Sequence, residues 1–211
     1  MIKQERAVHT RRYLIRAAAD AFERHGYAQA TLSAISRQAG VSTGALHFHF
    51  ANKAQLAKAV ESAAAESLGQ MVREADEQAE YALQALIRAS HELLGMLSAD
   101  TVFRAGFQLN FDRAWRVAAD LGRQWQASVG RFVDDAVRAG DVRDDVQADT
   151  VTAIVVSQTL GLGLLGLRDV RWCSPHHLDA FWALVLPRVA APHRMVDPSA
   201  GHTPAVARDG P

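Results

Sequence analysis

The position of its prolines constrains this chain more than any other feature. All six prolines lie at Pro175 or beyond, so no earlier residue removes a backbone donor and breaks a helix. The stretch before Pro175 is rich in Ala, Leu, Arg, Glu and Gln, which have high helix propensity. The sequence therefore predicts an all-α fold built from long helices.

Capping residues and glycines mark where these helices begin and end. Thr31, Ser42 and Asn52 suit helix N-termini, and Gly26 and Gly140 suit the position that ends a helix. We also expect Asp149 to cap the eighth helix and Ser174-Pro175 to start the ninth. The helical spacing of apolar residues predicts helices over 4–25, 31–38, 42–49, 53–75, 79–97, 100–118, 120–139, 149–167 and 176–190.

Charge is divided along the chain, although the formal net charge is +0. Residues 1–60 hold nine Lys or Arg against three Asp or Glu, and residues 61–211 hold fourteen against twenty. A basic head on an acidic body indicates that only the head meets nucleic-acid phosphates. The sequence has a lone cysteine, Cys173, no uninterrupted run of about eighteen apolar residues and no signal-peptide core. We therefore expect a cytoplasmic protein with no membrane partner.

Residues 31–50 have the pattern of a helix-turn-helix. Gly40 permits a tight turn between two short helices. The apolar residues spaced to bury together are Ile35, Val41, Leu46 and Phe50. The second helix keeps small polar residues outward at its N-terminal end, the part of a recognition helix that reaches base edges in the major groove. The predicted DNA-binding residues are Thr31, Ser42, Thr43, Gly44, His47, His49 and Lys53, the last two suited to phosphate contacts.

The run from Ala39-Gly40-Val41-Ser42 through Gly44, Leu46, His49-Phe50 and Lys53 resembles the DNA-binding domain of the TetR family. The resemblance covers about residues 8–58 and implies a three-helix DNA-binding head followed by a helical bundle that binds a ligand and dimerises. His47 departs from the family pattern, which usually has tyrosine there. Imidazole still donates a hydrogen bond to phosphate or base, so we expect DNA binding with altered preference.

A finer resemblance is to the γ-butyrolactone receptors of actinobacteria. It rests on Arg6-Ala7, Gly26-Tyr27 and Phe48-His49-Phe50 in the head, and on Arg104-Ala105-Gly106 and Trp125 in the body. The resemblance implies that Trp125 lines a pocket for a lactone. It also implies a repressor that leaves its operator when a small apolar signal binds. The alternative within this class is a receptor-like repressor that senses an antibiotic or its intermediate.

Residues near Trp125 leave two interpretations open. Trp125 and Val129 lie on an apolar helical stripe with Phe132, Val133 and Val137, which is typical either of plain core or of a ligand wall. On the eighth helix Gln158 and Thr159 interrupt an apolar face that includes Leu162. They pair with a neighbouring helix or bind a lactone carbonyl or hydroxyl. The predicted ligand-binding residues are Trp125, Gln158, Thr159, Gln108, Val129 and Leu162. Trp115, Trp172 and Trp182 are assigned to the core or the dimer interface.

A single short motif suggests an enzymatic function. Residues 161–166 spell G-x-G-x-x-G, which invites a nucleotide-dependent oxidoreductase as a remote alternative. The few residues between Gly166 and Trp172 leave no room for the helix that such a site needs. Its glycines suit close helix packing at a dimer interface. Cys173, His176 and His177 lack the recurring spacing of a zinc site, so we expect no metal, no cofactor and no catalytic residues.

The domain organisation follows from these observations. We predict a helix-turn-helix domain over 1–51, a ligand-binding and dimerisation domain over 52–191, and a disordered tail over 192–211. Because one recognition helix per chain meets one half-site, we expect a homodimer on palindromic double-stranded DNA. Its other partner is a small-molecule inducer. The eighth and ninth helices are the predicted dimer seam.

Overall fold

The computed structural model describes residues 2–193 of the 211-residue chain, and their side chains from Glu5 onward. Over that part of the chain the fold is all-α, with no strand and with one isolated bridge between Val142 and Ala190. The α-helices are α1 Ile2–Gln29, α2 Leu32–Gln38, α3 Thr43–His49, α4 Lys53–Glu77, α5 Ala82–Ala99, α6 Thr101–Leu109, α7 Leu121–Arg138, α8 Ala148–Gly166 and α9 Pro175–Val189, with a 3-10 helix at Val170–Cys173. The predicted fold class is confirmed.

Local capping chemistry sets the ends of the first helices. Thr31 accepts a hydrogen bond from the N–H of Ala34 at 3.2 Å, and Ser42 accepts one from Ala45 at 3.1 Å. Gly26 has φ 72°, a conformation that glycine adopts at little cost, and it interrupts the helical geometry of α1. The capping and helix-ending positions predicted near the N-terminus are therefore confirmed.

Two predicted helix boundaries are wrong. The helix expected over 100–118 ends at Leu109, because the side chains of Asn110 and Asp112 bond to backbone groups and compete with helical bonds. Asp149 does not cap α8. It lies in the first turn of that helix, and Gln147 holds the capping position without a side-chain bond.

The described chain forms two compact units. The first comprises Met1–Gln70 with Met96–Trp125, and the second comprises Met71–Gly95 with the residues from Gln126 onward. These units reflect contacts within the chain and do not show where the DNA-binding function ends. The predicted domain boundary between residues 51 and 52 therefore stays a prediction. The predicted tail falls almost entirely on residues 194–211, which lie outside the described residues.

The first unit has one apolar core beneath the helix-turn-helix. Helix α1 packs against α2 and α6. The core includes Leu14, Ala18 and Phe22 of α1, Ile35 of α2, Leu46 of α3, Leu56 and Val60 of α4, and Leu109 of α6. Gly106 of α6 lies so close to α4 that an added Cβ would be 2.5 Å from the Cβ of Ala64. The core therefore fixes α2 and α3 on helices that continue into the rest of the unit.

The second unit joins its helices through polar contacts as well as apolar burial. His91 of α5 is buried, with Nε2 3.0 Å from Asp179 of α9 and Nδ1 2.9 Å from the carbonyl of Ile87. The N–H of Ala191 donates to the carbonyl of Asp141 at 2.8 Å, which ties the end of α9 to the turn after α7. Gly140 in that turn has φ 73° and ends α7 as predicted.

Helix α8 is unusually apolar for its exposure. It is long and apolar enough to cross a membrane by length and composition, but only 28% of its apolar window is buried inside this chain. Core helices of ordinary globular proteins pass the same test of length and composition. Ile154, Leu164 and Leu165 of α8 are exposed, and Leu184 of α9 is 81% exposed. Exposed apolar side chains on two helices of one unit indicate a surface that another molecule covers.

Candidate DNA-binding and ligand-binding sites

The helix-turn-helix has a buried inner face and an exposed outer face. Ile35 and Leu46 are fully buried and Phe50 is 4% exposed, while Val41 packs partly buried against the same core. Gly40 has φ 68° in the turn between α2 and α3, which is the conformation that requires glycine there. The expected burial of this set is confirmed.

The outer face of α3 presents the polar residues that the sequence singled out. Ser42, Thr43, Gly44 and His47 are exposed, and His49 is half-buried. The hydroxyl oxygen of Ser42 already accepts the capping bond, so it retains its proton as a donor for DNA. Thr31 is exposed at the start of α2 and has the same double role. Their contacts with DNA stay predictions.

Phe48 is an exposed aromatic residue that is not among the DNA-binding residues predicted from the sequence. It is 83% exposed on α3, and its ring stands edge-on to that of His49 at a centroid distance of 5.2 Å. The helical register held the signal, because Leu46 and Phe50 are four residues apart and both inward, which turns Phe48 outward. An aromatic ring on a recognition helix offers an apolar surface to thymine methyls and sugars.

Lys53 stabilises the fold beside the recognition helix. Its ammonium donates to the carbonyls of Tyr27, Ala28 and Ala30 at 2.7, 3.0 and 2.9 Å, and it lies 4.5 Å from the centre of the Tyr27 ring. An ammonium has three donors, and these three carbonyls use all of them. A phosphate contact from Lys53 stays a prediction, and it competes with these bonds.

Other basic side chains are free to approach phosphates. Arg6 and Arg12 of α1 are exposed. Arg11 is also exposed, and its guanidinium lies 5.3 Å from the centre of the Phe50 ring. This contact holds a positive charge next to the recognition helix.

The predicted ligand-binding residues fall in both units. Trp125 is wholly buried and Gln108 of α6 is half-buried, both in the first unit. Val129, Gln158, Thr159 and Leu162 belong to the second unit. Complete burial is what either a core position or the wall of a closed pocket requires, so ligand contact at Trp125 stays a prediction.

In the second unit some of the residues predicted on the apolar faces near Thr159 are buried and others are not. Thr159 is fully buried, and its hydroxyl donates to the carbonyl of Val155 at 2.8 Å, so its proton is used within its own helix. Gln158 is half-buried, and Val129 and Leu162 are buried. Val137, expected on the stripe with Val129, is 44% exposed and lies outside it.

Close approach explains one glycine of the G-x-G-x-x-G run. A Cβ at Gly166 would collide with Sγ of Cys173, and this cysteine is buried in the 3-10 helix that packs on α8. Gly166 therefore serves a close contact within the chain, and the predicted helix contact between chains at these glycines stays a prediction. Gly161 has nothing within 4 Å of an added Cβ.

The remaining tryptophans differ in their surroundings. Trp182 is fully buried, Trp172 is 41% exposed and stacks on His177, and the ring of Trp115 lies 4.8 Å from that of Tyr27. Among the described residues no three His, Cys, Asp or Glu side chains are grouped to hold a metal ion.

An all-α chain with an exposed recognition face on a buried helix-turn-helix core defines a class of bacterial regulator. The chain belongs to the TetR family, whose model, described as bacterial regulatory proteins of the tetR family, matches residues 14–60. It is 28% identical to the A-factor receptor protein of Streptomyces griseus over 197 residues, which covers 91% of this chain and 68% of that protein.

Two solved structures extend the likeness over the body of the chain. A gamma-butyrolactone receptor described as an ArpA-like protein is 32% identical with a TM-score of 0.76, covering 88% of this chain and 90% of that one. CprB from Streptomyces coelicolor, in complex with its biological operator sequence, is 31% identical with a TM-score of 0.73 over the same shares. These relatives are regulators and receptors by description.

Proposed function

We propose that this protein is a homodimeric, cytoplasmic transcriptional repressor that binds a palindromic operator and is released by a γ-butyrolactone-type molecule. The observation that supports DNA binding best is the exposed polar face of α3 on a fully buried core. The likeness to an operator-bound regulator supports it independently. The protein acts by binding and has no catalytic step, in line with relatives that are described as regulators and receptors.

In this proposal α3 lies in the major groove. Thr43, Gly44 and His47 approach base edges, while Phe48 packs against sugars or a thymine methyl. Thr31, Ser42 and His49 bond to phosphates and fix the register. Arg6, Arg11 and Arg12 add charge that makes the affinity depend on salt.

The second copy covers the exposed apolar surface of α8 and α9. This surface includes Ile154 and Leu184, and Ile154 also lines a groove with Val151, Val185 and Val189. The open space beside Gly161 leaves room for the partner's helices. The low burial of α8 within one chain supports a protein partner for this surface.

The proposed inducer is a γ-butyrolactone with an apolar chain. The names of two relatives, a gamma-butyrolactone receptor and the A-factor receptor, support this class of ligand. In the first unit Trp125 provides a flat apolar wall for the ring or chain. Gln108 of the same unit is a candidate for bonding a polar atom of the ligand, while ligand contacts from Val129, Gln158, Thr159 and Leu162 of the second unit stay predictions.

Operator selection tests the DNA-binding part. The purified protein is used to select duplexes from a random pool, and the bound sequences are aligned. We expect an inverted repeat whose half-sites are centred about one helical turn apart, roughly 34–36 Å, or a multiple of it. His47→Ala should weaken binding to that operator without a change in melting temperature, because the side chain is exposed. Selection of no common sequence, or of a single unrepeated half-site, contradicts the proposal.

Charge placed on the proposed seam tests the dimer. Leu184→Asp should convert the dimer to monomers in light scattering and lower operator affinity, since the partner must bury that carboxylate. Val137→Asp is the matched control, because Val137 is also exposed and apolar but lies on α7. Unchanged mass for Leu184→Asp, or an equal loss for Val137→Asp, refutes the assigned seam.

A further inference from the structure

Residues 110–120, between α6 and α7, are tied to the end of α1. Asp112 accepts the backbone N–H of Tyr27 at 2.9 Å through Oδ2 and the N–H of Ala114 at 2.8 Å through Oδ1. Tyr27 follows Gly26, where α1 breaks before the chain enters the helix-turn-helix. One carboxylate therefore fixes both this connecting segment and the entry to the DNA-binding helices.

The same junction continues to the start of α4. Trp115 packs its ring 4.8 Å from the ring of Tyr27, and the ammonium of Lys53 lies 4.5 Å from the centre of the same Tyr27 ring. Lys53 also binds the carbonyls that lead from α1 into α2. The connecting segment thus reaches, through Tyr27, the two places where the helix-turn-helix joins its own unit.

A second tie lies further along α4. Glu61 is fully buried, and its two oxygens accept the N–H of Ala118 at 2.9 Å and the side-chain amide of Asn110 at 3.2 Å. Burial raises the pKa of this carboxyl, partly offset by the N–H of Ala118. Losing either donor leaves a polar group buried without its partner, which costs free energy. A displacement of the segment is therefore expected to displace α4 with it.

The far end of the segment leads to Trp125. The Oδ1 of Asn110 accepts the N–H of Leu121, the first residue of α7, at 2.8 Å. Trp125 lies one helical turn further on. The side-chain amide of Gln124, next to it, donates to the carbonyl of Ala65 in α4 at 3.0 Å. The first turn of α7 is therefore positioned by the same contacts that hold residues 110–120.

We infer that residues 110–120 form a coupling segment that links the surroundings of Trp125 to the DNA-binding helices through Asp112 and Glu61, which act as positioning residues. This inference rests on the proposed function. A ligand packed against Trp125 displaces the first turn of α7, and the buried bonds of Asn110 and Glu61 transmit the displacement to α4. Asp112 and Trp115 transmit it to Tyr27 and so to the entry of the helix-turn-helix.

This coupling can be tested without the inducer. By thermodynamic linkage, DNA binding changes the stability of the segment by the same free energy by which the conformation of the segment changes the affinity for DNA. We propose amide hydrogen exchange of the full-length dimer with and without the selected operator duplex. In wild type, operator should slow exchange in residues 43–49, which face DNA, and also about fivefold in residues 110–121, which do not. In Asp112→Ala the protection of residues 43–49 should remain, and the protection of residues 110–121 should fall below about twofold.

Two further variants separate coupling from simple damage. Arg116→Ala is the control within the same segment, because Arg116 is exposed and is not one of the side chains that tie the segment to α1, α4 or α7. It should behave as wild type. Asp112→Asn keeps an oxygen that accepts the N–H of Tyr27 and should restore most of the protection. Trp115→Leu, at a half-buried position, replaces Asp112→Ala if the latter does not fold.

The outcomes distinguish the two proposals. No protection of residues 43–49 by any duplex overturns the proposed function and this inference with it. Protection of residues 43–49 without protection of 110–121 overturns the coupling segment alone. Equal protection of 110–121 in wild type and Asp112→Ala also overturns it, because the carboxylate then carries none of the coupling.

Discussion

Replacing Lys53 by Ala should destabilise the protein before it affects any contact with DNA. The ammonium makes three hydrogen bonds to carbonyls at 2.7–3.0 Å and a cation–π contact with Tyr27. Hydrogen bonds from charged groups contribute about 1.5–3 kcal/mol each, but bonds that share one half-buried ammonium do not add. We therefore expect a loss of about 2–4 kcal/mol in the free energy of unfolding. For a chain of this size that lowers the melting temperature by roughly 4–15 °C.

The assay is thermal unfolding by circular dichroism without DNA, at one fixed protein concentration because dimerisation contributes to stability. Lys58→Ala is the matched control, since Lys58 lies on the same helix, is exposed and should change the melting temperature by less than about 2 °C. A melting temperature for Lys53→Ala equal to that of Lys58→Ala refutes the structural role. A loss of operator affinity alone would then assign Lys53 to phosphate.

Two other predictions concern the first unit and α5. Gly106→Ala should lower the free energy of unfolding by about 1–3 kcal/mol in chemical denaturation, because its Cβ would lie 2.5 Å from that of Ala64. Gly95 has open space around it, so Gly95→Ala should raise the free energy of unfolding by about 0.5–1 kcal/mol. Equal effects at the two glycines would contradict the close approach of α6 to α4. For Glu61 the raised pKa means that the folded state holds its proton more tightly than the unfolded state, so its contribution falls as pH rises above the ordinary value of 4.5. The melting temperature of wild type minus that of Glu61→Gln should therefore decrease with pH above that value, and a difference that increases would contradict the burial of this carboxyl.

The predictable part of the fold is its local chemistry. Thr31 and Ser42 each cap a helix by bonding an N–H three residues ahead, so neighbouring sequence contains the whole interaction. Gly26, Gly40 and Gly140 all adopt positive φ where a turn was expected. Apolar spacing likewise identified the buried face of the helix-turn-helix, because helical geometry alone decides which side chains point inward.

The unpredicted part depends on partners distant in sequence. Beyond the end of α6, Asn110 also bonds Glu61, 49 residues away, and Asp112 bonds the N–H of Tyr27, 85 residues away. No local pattern reveals such partners, so the helical spacing of residues 100–118 suggested a continuous helix. The structural role of Lys53 is hidden from the sequence for the same reason, since its carbonyl partners lie 23 to 26 residues earlier in the chain, while its phosphate contact stays a prediction.

Release of a labelled operator by an added lactone tests the proposed function. Fluorescence anisotropy follows the complex of protein and selected duplex while a synthetic 2-alkanoyl-γ-butyrolactone with a chain of eight carbons is added. Unsubstituted γ-butyrolactone and octanoic acid are the control compounds. To drive bound DNA from about 99% to about 1% the lactone must favour the released state by roughly 10⁴-fold, so we expect full release of wild type and none by either control. Trp125→Phe should bind operator normally and need at least about tenfold more lactone, or about 1.4 kcal/mol weaker binding. Failure of the lactone to release wild type contradicts the proposed inducer, and release of Trp125→Phe at the wild-type concentration contradicts the proposed role of Trp125.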